Sequence, residues 1–140
     1  VYEPGELKVI AYRKGKEWAA DVMKTAGPAA KLLMQADRTT IAADGRDLAF
    51  VTVTIADKDG ILVPRASNRI RFSVDGPGEI VATDNGDPTS LESFHSRQRN
   101  AFSGLCLAIV RAEPNEPGTI TLKAESESLT EATTTIRTQM

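Results

Sequence analysis

The sequence predicts an all-β protein: an immunoglobulin-like antiparallel β-sandwich of about seven strands, preceded by a β-hairpin. Three observations carry that expectation. Alternating and β-branched segments recur along the chain, whereas no window longer than a few residues sustains the 3.6-residue apolar spacing of a helix. Between these segments lie clusters of Gly, Pro, Asn and Asp, which supply positive φ, fixed φ and side chains that bond nearby backbone. Finally, hydrophobic residues make up 41% and charged residues 26%, close to soluble-domain averages, so a packed core is within reach.

Taken in order, Leu7 to Arg13 and Glu17 to Thr25 read as a hairpin around Lys14-Gly15-Lys16, where Gly takes the positive φ the turn needs. Gly27-Pro28 then breaks the pattern. Seven strand candidates follow: Lys31 to Ala36, Asp47 to Asp57, Arg69 to Val74, Glu79 to Thr83, Ala101 to Ala112, Thr119 to Ser126 and Glu131 to Thr138. In the second of these, Val51, Val53 and Ile55 share one face and are assigned to the core. Turn chemistry separates them at Ala43-Asp44-Gly45, Asp57-Lys58-Asp59-Gly60, Asp75-Gly76-Pro77-Gly78, Asp84-Asn85-Gly86-Asp87-Pro88 and Asn115-Glu116-Pro117-Gly118. Short strands at this spacing suit two packed antiparallel sheets. An antibody-type domain is excluded, because there is no Cys…Trp…Cys pattern and no Trp or Tyr after Trp18.

At 140 residues the chain fits one domain, or one domain with a piece of a neighbour. The net charge is -2, from 17 basic and 19 acidic residues, so nucleic acid is a poor partner. Asn100 to Val110 is the longest stretch without a charge, about half the length a spanning helix needs, and no membrane partner is expected. One cysteine, Cys106, and one histidine, His95, allow neither an internal disulfide nor a zinc set, and no cofactor is implied. The start, Val1-Tyr2-Glu3-Pro4-Gly5, has neither Met nor a signal-peptide pattern. It reads as a piece of a longer protein and does not fix a compartment.

The motifs, read in order, resemble a known family. Thr25-Ala26-Gly27-Pro28-Ala29-Ala30, Ala43-Asp44-Gly45-Arg46-Asp47-Leu48, Asp57-Lys58-Asp59-Gly60, Gly76-Pro77-Gly78-Glu79-Ile80, Asp84-Asn85-Gly86-Asp87-Pro88-Thr89 and Arg99-Asn100-Ala101-Phe102-Ser103-Gly104-Leu105 together resemble the C-terminal region of bacterial glycoside hydrolase family 2 β-galactosidases. The resemblance implies a non-catalytic accessory domain that follows a catalytic barrel and braces or orients it. It divides the chain into residues 1–27, the terminal hairpin of the preceding β-domain, and residues 28–140, the immunoglobulin-like domain. The partners it implies are the other domains of the parent glycosidase in cis, with carbohydrate as the alternative partner if the domain is instead a carbohydrate-binding module. A parent of this kind would cleave terminal β-galactosides and could be periplasmic or secreted. A (β/α)₈ barrel takes about 250 residues, so none fits here and no catalytic residue is assigned.

Several constellations carry chemistry of their own. Asn115-Glu116 mimics an acid-bearing dipeptide but is followed by Pro117-Gly118, which makes it a turn. Asp57-Lys58-Asp59-Gly60 begins like a calcium loop, yet the position of the twelfth-residue Glu is Asn68. No metal ligands are assigned there. Asp84, Asn85 and Asp87 are read as a structural loop that holds the connection from 84 to 97 on the sandwich, with Arg97 or Arg99 as charge partners. Cys106, between Leu105 and Leu107, is expected to be buried and inert, and His95 to serve loop hydrogen bonding. Tyr12 and Trp18 are the candidate domain-contact aromatics, grouped with Tyr2 in the hairpin; Phe50, Phe72, Phe94 and Phe102 are expected in the core.

Overall fold

The computed structural model describes residues 3–140 and contains strands without a helix. Tyr2 lies outside the described residues. Strands β1 (Glu6–Arg13) and β2 (Lys16–Lys24) form a hairpin that is a sheet of its own. Arg13 pairs with Lys16, so the turn has two central residues, Lys14 and Gly15, at φ 50° and 74°. Positive φ at both positions matches the twist of the flanking strands, and Gly adopts it without steric cost.

The remaining strands are β3 (Lys31–Ala36), β4 (Thr40–Ala42), β5 (Leu48–Ala56), β6 (Arg69–Asp75), β7 (Gly78–Asp84), β8 (Gln98–Asn100), β9 (Leu105–Ala112), β10 (Gly118–Ser126) and β11 (Ala132–Gln139). They form a four-stranded sheet in the order β3-β5-β9-β7 and a five-stranded sheet in the order β4-β11-β10-β6-β8. Period-2 alternation explains the core between them. Ala49, Val51, Val53 and Ile55 of β5 meet Ile120, Leu122 and Ala124 of β10 and Ile136 of β11 in one cluster, all fully buried. Phe72 joins from β6, and Cys106, Ala108 and Val110 join from β9.

Two three-residue strands add to the seven expected. β4 pairs in parallel with β11, Thr40 opposite Arg137, and so departs from the otherwise antiparallel pattern. β8 lies at the other edge, with Arg69 opposite Asn100. Neither is long enough to show alternation. The expected strand from Ala101 begins only at Leu105, because Ser103 and Gly104 both take positive φ and turn the chain between Phe102 and Leu105.

The placement of the phenylalanines needs correction: Phe72 is buried, whereas Phe50, Phe94 and Phe102 are exposed. On β5 the inward phase belongs to Ala49 and Val51, which forces Phe50 outward. Phe94 lies in the long loop after β7, and Phe102 beside the turn at Ser103.

Candidate functional site

Three places gather the residues that could serve a function. The first is the hairpin, where Trp18 is 70% and Tyr12 65% exposed, with Leu7, Val9 and Met23 also open to solvent. Leu7 lies opposite Met23, putting both on one face near the base. There the hairpin and the segment Ile61–Arg65 line a groove, to which the hairpin contributes Leu7, Val22 and Met23 and the segment Ile61, Leu62 and Pro64. Trp18 and Tyr12 do not line it. A two-stranded ribbon cannot cover its own apolar side chains, so their exposure follows from having no third strand.

The second place is the joint between hairpin and sandwich. Asp57, at the end of β5, accepts hydrogen bonds from the backbone N–H groups of Gly27 (2.8 Å), Asp59 (2.9 Å) and Ile61 (2.9 Å). The Gly27 N–H first, then those of Ile61 and Asp59, hold its carboxyl below the ordinary carboxylate range despite burial. Both oxygens are therefore engaged with backbone. This carboxylate clasps the segment leaving the hairpin onto the turn at 57–61, a role the turn-like sequence Asp-Lys-Asp-Gly did not reveal. The partner, Gly27, is 30 residues away in the chain.

The third place is the connection between β7 and β8. Asp84 Oδ1 accepts from the N–H of Asn85 (2.7 Å) and Gly86 (3.2 Å), and Asn85 Oδ1 from that of Asp87 (3.0 Å). Asp87 Oδ1 accepts from the hydroxyl (2.7 Å) and N–H (2.8 Å) of Thr89, which lower its pKa in that order. Both carboxylates make local turns; Asn85 alone of the three reaches across, donating from Nδ2 to Asn100 O at 2.9 Å. The expected charge pairing needs correction. Arg99 is 1% exposed and bonds carbonyls: Nη2 donates to Thr83 O and Ser93 O at 2.8 Å each, and Nη1 to Glu92 O at 3.2 Å. Its guanidinium also lies 5.6 Å from the Phe94 ring centroid. The side chain that gathers the loop is thus a buried arginine in a short polar strand, Gln98-Arg99-Asn100.

The other candidates are structural in their surroundings. Asn115 has φ 63° and donates its N–H to Ala43 O at 2.8 Å, while Glu116 O accepts from Thr138 Oγ1 at 3.0 Å. Cys106 is buried, its Sγ 3.3 Å from Asp84 O, and burial pushes its thiol up to about 12. His95 is exposed and its N–H bonds Ser93 Oγ at 3.3 Å. Among the described residues no group of three or more His, Cys, Asp or Glu is placed to hold a metal ion, and no helix is long and apolar enough to cross a membrane.

Residues 32–135 match the model of glycoside hydrolase family 2 C-terminal domain 5. The chain is 44% identical over 131 residues to the β-galactosidase BoGH2A of Bacteroides ovatus, covering 94% of this chain and 15% of that protein. A crystal structure of a glycosyl hydrolase family 2 member from Bacteroides cellulosilyticus superposes with TM-score 0.92 at 34% identity, covering 99% of this chain and 18% of the other. A β-glycosidase from Bacteroides vulgatus gives TM-score 0.91 at 28% identity, covering 97% and 18%. The chain thus spans about 15% of the length of the curated β-galactosidases it matches. A sandwich of two sheets, matched along nearly its whole length to a small part of these enzymes, belongs to the glycoside hydrolase family 2 C-terminal domain 5 family and is a non-catalytic domain of a larger glycosidase.

Proposed function

We propose that this domain braces and orients the catalytic part of its parent, a family 2 enzyme that cleaves terminal β-galactosides by double displacement. The observation that carries the reading is the hairpin: it exposes Leu7, Val9, Tyr12, Trp18 and Met23 while Asp57 fastens its base to the sandwich. Apolar surface of this kind is normally covered by a partner. A hairpin bound at one end to the sandwich and packed at the other against a neighbouring β-domain would fix the angle between them. On this reading residues 1–27 belong structurally to the preceding domain and residues 28–140 to the sandwich. The 44% identity to a β-galactosidase supports the substrate class.

Deleting residues 28–140 from the parent enzyme tests the proposal. The truncated enzyme should still hydrolyse an aryl β-galactoside, with a melting temperature lower by several degrees and faster thermal inactivation. Unchanged thermal behaviour together with lost retention on insoluble polysaccharide would instead make the domain a carbohydrate-binding module. An intact parent inactive on aryl β-galactosides would overturn the substrate class.

A further inference from the structure

The two outer faces of the sandwich differ in chemistry: one is polar throughout, and the other sets large apolar side chains among Gln35, Thr52, Thr54 and Asp84. On the five-stranded sheet the outward positions include Arg71 and Ser73 of β6, Thr121 and Lys123 of β10, and Thr135 and Arg137 of β11. That face is finished for water. On the four-stranded sheet the outward positions include Leu33 of β3, Phe50 of β5, Leu105, Leu107 and Ile109 of β9, and Ala82 of β7. Leu33 is 40% and Phe50 and Leu105 are each 38% exposed.

Strand registers make these residues neighbours. One row across the face is Leu33–Thr54–Leu105, the next Gln35–Thr52–Leu107–Asp84, and the third Phe50–Ile109–Ala82. Beyond them the row Leu48–Arg111–Glu79 closes the patch with an ion pair, Arg111 Nε to Glu79 Oε1 at 3.0 Å. β9 is consequently apolar on both sides from Leu105 to Val110. A strand in a sheet with one wet face alternates; a strand covered on both faces reads as a continuous apolar run.

We propose that the outer face of β3-β5-β9-β7 packs against another domain of the same polypeptide, so that this is the sandwich face turned toward the rest of the glycosidase. The inference rests on the accessory-domain reading and adds to it the surface used. Its size selects the occupant. Four strand widths by about five residues give roughly 300 Å² a side, or about 600 Å² in total. That reaches the lower end of inter-domain contacts within one chain, about 600–1,500 Å². It falls short of the roughly 1,200–2,000 Å² that holds separate proteins together. A contact this small needs a tether that supplies high effective concentration, and most of the relatives' length lies outside the part that this chain matches.

The test is thiol labelling in the full-length parent. Thr52→Cys and Gln35→Cys place a small reporter in the middle row of the apolar face, and Thr135→Cys places one on the polar face; Cys106 is buried and stays silent. Peptide mass spectrometry then assigns each label. The two apolar-face reporters should label on the order of 100-fold more slowly than Thr135→Cys, since reaction there requires the contact to open. Equal rates on the two faces would overturn the proposal. So would protection that vanishes on dilution, which marks a second copy, or protection seen only with added polysaccharide, which marks a sugar surface. Two reporters guard against one failing to fold. Fast labelling combined with a destabilised domain-deleted parent would reject this face and leave the accessory role standing; fast labelling with an unaffected deletion would reject both.

Discussion

Replacing Arg99 with Met tests whether one buried guanidinium holds the connection between β7 and β8. Methionine keeps most of the side chain's length and apolar stem while removing every donor. Two of the bonds lost are short, the 2.8 Å contacts to Thr83 O and Ser93 O, and a third reaches Glu92 O at 3.2 Å. Hydrogen bonds from a charged donor are worth about 1.5–3 kcal/mol each, so the two short ones contribute roughly 3–6 kcal/mol gross. Two effects reduce that figure. The carbonyls of Glu92 and Ser93 lie in a largely exposed segment and regain water when the loop opens, and the variant no longer has to bury a charge. A net loss of about 2–4 kcal/mol follows, a large share of the 5–15 kcal/mol typical of a domain. For a chain of this size that lowers the melting temperature by roughly 10 °C or more. Arg99→Lys should recover little of it, because one ammonium cannot serve carbonyls spread over the planar fork. Thermal denaturation reads the magnitude, and hydrogen exchange of residues 84–97 reads the location. A shift under about 2 °C with unchanged exchange in the loop would refute the assignment.

The remaining expectations concern the carboxylates, the turns and the absence of catalysis. Asp87→Ala should lower the melting temperature of the metal-free protein, with calcium and chelators leaving the wild type unchanged; a calcium-dependent rise abolished by Asp87→Ala would make the loop a metal site. Asp44, Asp57 and Asp87 have folded-state pKa values below the ordinary one, so their contribution is complete above the unfolded value of about 3.9 and is lost as pH falls through the lowered values. Melting temperature should therefore hold from neutral pH to about pH 5 and fall below about pH 4, less steeply in Asp57→Asn, as a series of melts would show. Gly76→Ala should be strongly destabilising in denaturant titrations, because φ is 92° and a Cβ there would run into the Thr119 carbonyl. The purified 140-residue chain should hydrolyse no aryl β-galactoside; turnover that disappeared in Glu116→Gln would contradict its non-catalytic assignment.

What was legible in the sequence was whatever repeats with a period. Val51, Val53 and Ile55 alternate over a nine-residue strand, and their place in the core is legible from that pattern; Ile120, Leu122 and Ala124, not assigned from the sequence, alternate in the same way. Asp-Gly and Pro-Gly turns marked the gaps for the same reason, since their φ requirements are local. Phe50 shows the limit of composition. Its ring suits a core, yet its place in the alternation after Ala49 puts it outside, and phase overrides hydrophobicity.

Arg99 and Asp57 show the opposite limit. Each opens a motif, Asp57-Lys58-Asp59-Gly60 and Arg99-Asn100-Ala101, yet each draws its role from backbone groups that only tertiary structure brings near: Gly27 for Asp57, and the Thr83 and Ser93 carbonyls for Arg99. Burying either side chain would be costly without those partners. An arginine between Gln98 and Asn100 at an edge strand reads from sequence as a charge partner for the nearby carboxylates, because a three-residue strand does not tell which neighbours cover its faces. Here the loop after β7 supplies two of the carbonyls that the buried Arg99 bonds, those of Glu92 and Ser93. The outer face of β3-β5-β9-β7 poses the same problem one level up: its apolar phase is visible strand by strand, while what completes it lies in chemistry that this chain does not itself provide.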